Sequence, residues 1–172
     1  MHLQFNLIVN LAILTVLFVI ALYDLRFHKI RNIVLVPMLL FGVALHLFTE
    51  YGGGVIDILI NEALTIAIFG AGFYRHKFGG GDLKLILVIG FYLEWKLFLE
   101  FLVFVIGIGV IYALAISIKG IFRVYKSNDM DIRYMSVGSL INLIKSSPSK
   151  TLAYGLCVFA GYMIIFVKEM FP

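Results

Sequence analysis

A single cysteine, Cys157, stands in the 172 residues. That excludes an intrachain disulfide and any cysteine-based zinc or redox pair. Its simplest place is as a small apolar residue in a helix. Charge is also scarce: only 14% of residues are charged, where a soluble domain carries about a quarter. The four histidines, His2, His28, His46 and His76, show no His-x-x-x-His spacing and no ligand cluster. A metal hydrolase is therefore not indicated, and nothing asks for a cofactor or a nucleic acid. A Gly-x-Ser-x-Gly elbow is missing too, and the serines crowd into the polar stretch 127–149. Serine catalysis has no seat.

What remains is apolar. Hydrophobic residues make up 62% of the chain, and the mean hydropathy is +1.05. Apolar runs recur at 5–23, 33–48, 55–74, 83–95, 97–118 and 151–167, which predicts an all-α polytopic membrane bundle of six transmembrane helices. The fourth run is short and carries Lys84 near its start. The first run does not read as a cleaved signal peptide, because it lacks a basic leader and is followed by Asp24 and Arg26. Residues 119–150 form the only long polar stretch and predict an exposed cytoplasmic loop. With no internal repeat and no second domain, residues 1–172 read as one membrane-embedded unit.

Orientation follows from Lys and Arg. With six spans, stretches 24–32, 75–82 and 119–150 share one side and hold eleven of the fourteen basic residues. The opposite side has Lys96 and Lys168. The bias makes the three basic stretches cytoplasmic and puts both termini outside. It also requires the fourth run to cross, with its beginning unwound, since otherwise the cations of 119–150 would lie outside.

Two acids then stand out. Asp24 closes the first run, and Asp82 opens the fourth within "RHKFGGGDLKL". The topology puts both at the cytoplasmic end of the membrane, far apart in sequence and equal in depth. Acids in such places are expensive and usually face a partner or a water-filled cavity. Two carboxylates held together suit aspartic proteolysis: one, charged, takes a proton from water, while the other, protonated, polarises the scissile carbonyl. The pair titrates as a unit. Gly79, Gly80 and Gly81 allow close backbone approach, so that a substrate strand can lie alongside. Read singly, each element has a blander meaning. Gly-Gly-Gly-Asp is also a flexible turn with Asp82 as N-cap, and Asp24 is also a boundary acid paired with Arg26 or Lys29.

The other acids point elsewhere. Asp57 and Glu62 lie early in the third run, Glu94 and Glu100 flank an outer turn near Lys96, and Asp129 and Asp131 read as solvated. Of these only Glu62 is deep enough to need a polar contact. His46 reads as a packed or interfacial residue.

These motifs resemble the type IV prepilin peptidases, membrane aspartic proteases of the GxGD class. Gly79-Gly80-Gly81-Asp82-Leu83-Lys84-Leu85 resembles the family's Gly-x-Gly-Asp-x-Lys-Leu. "DLRFHKIRN" resembles its first-aspartate stretch, with Asp24, Ile30 and Asn32 in place and Arg31 where proline is usual. Ala153-Tyr154-Gly155 echoes a late Pro-Tyr-Gly, again without proline. The resemblance implies that Asp24 and Asp82 are catalytic, with Gly79, Gly81, Lys84, Ile30, Asn32, Tyr154 and Gly155 in support, and with the GxGD loop at the cytoplasmic start of helix four. It further implies a prepilin-like or preflagellin-like substrate whose short basic leader ends in glycine and is cut at the cytoplasmic face of the cell membrane. The length is similar to short forms acting on Tad/Flp pilins or on archaeal preflagellins and pilins. The long form's extra region with two Cys-x-x-Cys pairs is missing, which argues against methyl transfer. Two other readings stay open: a transporter or channel subunit in which the acids bind a cation or protons, and a GxGD protease of the presenilin or signal-peptide-peptidase kind. Tyr23-Asp24 resembles the latter class, although six spans fall short of its usual nine.

Overall fold

A computed structural model describes residues 2–49, 54–74, 79–128 and 154–171. Within them the chain is all-helical. The described residues hold six helices: α1 His2–Phe27, α2 Asn32–Phe48, α3 Val55–Tyr74, α4 Gly80–Gly90, α5 Trp95–Asn128 and α6 Tyr154–Met170. Two of them are long and apolar enough to cross a membrane, α1 over Asn6–Phe27 and α5 over Trp95–Lys119, and α2 is a shorter apolar helix. Their outer surfaces carry large apolar side chains in the open, among them Ile8, Phe18, Leu40, Val103, Ile111 and Leu114. A soluble protein rarely exposes so much continuous apolar surface, and hydrocarbon is the solvent that suits it. The protein is a membrane protein.

The two ends of α1 and α4 are shaped locally. His28 follows α1 in the left-handed region, with φ 50°, and its N–H bonds back to the Asp24 carbonyl at 2.8 Å. This is the usual stop for a helix, in which glycine is the common residue. At the other junction Gly79 is the N-cap of α4, in extended conformation, with no side chain to satisfy the first turn. Asp82, three residues on, folds its carboxylate back beside Gly79, where a Cβ would stand 2.8 Å from Asp82 Oδ2, the position of the acid in a capping box.

The fourth apolar run thus differs from its expectation. Helix begins at Gly80, before Asp82, and ends at Gly90. The remainder of the run, 91–94, is a turn leading into α5. Eleven residues rise only about 16 Å, roughly half of a hydrocarbon core. The polar stretch beginning at 119 differs as well, since α5 stays helical to Asn128. The rest of that stretch, 129–150, and residues 75–78 of the second basic stretch lie outside the described residues.

Short α4 is nevertheless the most enclosed element. It packs against α2, α3 and α6, while α6 in turn lies along α1 and α5. Leu85, Ile86, Val88 and Ile89 are all buried and join Leu17, Phe98, Phe101, Val105, Val158 and Tyr162 in one core. Position, rather than length, keeps α4 in place.

Candidate active site

Three segments far apart in sequence converge at one end of this bundle: the end of α1 with the turn after it, the start of α4, and the start of α6. Asp24, on the last full turn of α1, is 3% exposed. Its Oδ2 accepts the Gly155 N–H at 2.8 Å. Gly155 is the second residue of α6, so the buried acid faces the N-terminus of that helix. Asp82, half-buried, lies in the first turn of α4. Each carboxylate therefore meets the partially positive end of a helix dipole, and the two lie within electrostatic reach of each other.

The support residues pair off across the same junctions. A Cβ placed on Gly81 would stand 3.0 Å from the Ile30 Cβ and 3.3 Å from the Ile30 carbonyl oxygen. The α1–α2 turn thus lies directly on the α4 start. Next to this contact, Lys84 Nζ donates to Asn32 Oδ1 at 3.4 Å. A Cβ on Gly155 would stand 3.1 Å from Asp24 Oδ2 and 3.2 Å from Asp24 Cβ, so a side chain there would press on the acid and make it give by a few tenths of an ångström. Tyr154 is buried with its ring edge-on to Phe69, 6.3 Å between centroids, and within electrostatic reach of Asp82. All nine residues singled out in the sequence thus belong to one junction. Ala153, part of the late motif, lies outside the described residues.

Other side chains fall where the residue pattern carries little signal. Arg26, a candidate partner of Asp24, lies instead over the ring of Phe27 at 5.4 Å, and Arg31 lies over that of Tyr23 at 5.6 Å. The Asp24 acceptor is filled by backbone, which no charge pattern announces. Cys157 is buried and lies within electrostatic reach of both acids. It stands one helical turn beyond Tyr154, a spacing with no chemistry of its own. At the opposite end of α4, His46 Nε2 bonds the Phe91 carbonyl at 2.6 Å, which gives the packed histidine a defined task. No group of three or more His, Cys, Asp or Glu able to hold a metal occurs among the described residues.

A comparison with family models matches residues 11–114 to the type IV leader peptidase family. The match spans more than half of the chain. This protein belongs to the type IV leader peptidase family. Searches among curated proteins and among solved structures return no match. As a family member it is a membrane protease of the leader-peptidase kind. The matched segment contains both Asp24 and Asp82 with the glycines before the latter, and it ends ahead of α6. The contribution of Tyr154 and Gly155 therefore comes from the geometry and not from the family match.

Proposed function

We propose that this leader peptidase is an aspartic endopeptidase in which Asp24 and Asp82 form the catalytic pair. Its substrate is a prepilin-like or preflagellin-like protein with a short basic leader ending in glycine, cut at the cytoplasmic face of the membrane. The observation that carries this reading is the convergence of the two acids, from opposite ends of different helices, beside the α6 N-terminus.

The chemistry follows from the pair. One carboxylate takes a proton from a water molecule as that water attacks the carbonyl carbon of the scissile bond. The other, protonated, donates to the carbonyl oxygen, giving a neutral tetrahedral diol. Proton return to the leaving nitrogen breaks the C–N bond and releases the leader, with no covalent enzyme intermediate. The amides in the first turn of a helix have no acceptor within it. With the Asp82 carboxylate lying beside Gly79, the amides of Gly80 and Gly81 take a substrate carbonyl. Without side chains, this stretch lets an extended strand lie close.

The test is leader release from a prepilin-like protein incubated with purified enzyme, read by mass spectrometry. Asp24→Asn and Asp82→Asn keep shape but cannot take the proton of water. Each should lower cleavage by roughly 10³-fold or more, and the double variant should be no worse than either, because the two act as one unit. Near-normal cleavage by either single variant would sink the assignment.

A further inference from the structure

The attacked carbonyl decides which part of a substrate is most confined. When a carboxylate pair cuts a peptide, that carbonyl comes within hydrogen-bond reach of the protonated acid. Its carbon is bonded directly to the Cα of the residue that ends the leader. Whatever stands beside Asp24 and Asp82 therefore also stands beside any side chain that this residue carries.

Tyr154 is a large side chain in that position. It opens α6 and is 7% exposed. The next residue, Gly155, gives its N–H to Asp24 Oδ2 at 2.8 Å, and Tyr154 itself lies within electrostatic reach of Asp82. The chemistry of the two acids gives its ring no part. Nor is the ring free to draw back. Phe69 of α3, itself buried, holds it edge-on with 6.3 Å between centroids. From α5, a Cβ on Gly109 would stand 3.5 Å from Tyr154 Cε2 and 3.8 Å from its hydroxyl oxygen, so the absence of a side chain there lets the α5 backbone close on the ring. The start of α4 is hemmed in as well, by Phe73 at 3.4 Å from a Cβ on Gly80 and by Ile30 at 3.0 Å from one on Gly81. An extra carbon forced against such packing is costly.

We propose, on the reading that the two acids cut a glycine-ended leader, that the Tyr154 ring, braced by Phe69 and by α5 at Gly109, restricts the leader's last residue to glycine. A Cβ on that residue meets the ring before its carbonyl reaches the acids. Tyr154 thus sets specificity and takes no part in proton transfer.

The test uses the purified full chain in detergent and two prepilin-like substrates, identical except that the leader ends in glycine or in alanine. The readout is the ratio of their kcat/KM values, which misfolded protein leaves unchanged because it lowers both together. The wild type should favour glycine by roughly 100-fold, the scale on which a site discriminates one methyl. Tyr154→Ala should lower that ratio by about 10-fold or more, whereas Tyr154→Phe, which keeps the ring, should preserve it. Phe69→Ala removes the brace and should lower the ratio too. An unchanged ratio in Tyr154→Ala, or an equal fall in Tyr154→Phe, would overturn the proposal. If Tyr154→Ala is inactive on both substrates or does not accumulate, Phe69→Ala decides, a lower ratio supporting the wall and an unchanged one rejecting it. A wild type that cuts both substrates equally would reject the wall alone. One that cuts neither would reject the proteolytic reading on which it rests.

Discussion

Gly79, Gly80 and Gly81 are neighbours with different surroundings, and the differences predict different tolerances. A Cβ on Gly79 would sit 2.8 Å from Asp82 Oδ2, and one on Gly81 would sit 3.0 Å from Ile30 Cβ with the Ile30 carbonyl behind it. On Gly80 it would meet, among the described residues, the Phe73 ring edge at 3.4 Å, an ordinary contact. Alanine at Gly79 must displace the carboxylate, and at Gly81 it must part α4 from the α1–α2 turn. Each should lower leader cleavage by roughly 10–100-fold, as a misplaced reacting group does. Gly80→Ala lies in the first helical turn and should keep activity while gaining up to about 1 kcal/mol of stability. Cleavage assays on the three variants at matched folded amounts check this, and equal loss or equal retention across all three would refute it. The sequence singles out two of these positions, because the spacing Gly-x-Gly-Asp is local. It does not show why. The Ile30 contact joins segments about fifty residues apart, and Gly155, packed closely against Asp24, is more distant still.

Among the elements, α4 departs most from its expectation. Its apolar run continues without a break past Gly90, and hydropathy alone cannot place a helix end inside such a run. What ends the helix is polar and comes from elsewhere: Asn61 on α3 takes the Gly90 and Leu93 carbonyls, His46 on α2 takes that of Phe91, and the Tyr92 hydroxyl reaches the Met38 carbonyl. Each of these groups sits in an apolar stretch, where the sequence presents it as an isolated oddity. Their common purpose is visible only once the three helices are packed. At membrane depth, irregular backbone persists only when protein satisfies its polar groups, so these contacts permit a half-length helix. His46→Phe keeps the ring and removes the donor. It should destabilise the protein by about 1–3 kcal/mol, lowering the melting temperature in detergent by roughly 2–10 °C. An unchanged melting temperature would mean that the Phe91 carbonyl needs no partner there.

For the whole molecule, the open quantity is how the chain threads the bilayer, and α4 decides it. Eleven residues are too few to cross a 30 Å hydrocarbon core alone. Enclosed by α2, α3 and α6, however, α4 has no lipid thickness to match; it needs only to hand the chain from one side to the other, with the 91–94 turn completing the passage. Charge favours that passage. If α4 crosses, Lys119, Arg123 and Lys126 at the end of α5 share a side with Arg26, Lys29 and Arg31 after α1. If it turns back, the two groups are separated, against the general bias of basic residues toward the cytoplasm. We expect the crossing, with Asp24 and Asp82 at the cytoplasmic end and residues near Lys96 and Lys168 outside. A reporter fused after Lys126 should therefore be cytoplasmic, and one fused beyond Phe171 external. Both outcomes matter separately, because α6 lies between the two fusion points. The reversed pair would mean that α4 returns to its own side, and two reporters on one side would mean that α6 does not span. The reversed pair would remove the cytoplasmic placement of the end of α5, while the convergence of Asp24, Asp82 and Gly155 would remain as a fact of packing in search of another orientation.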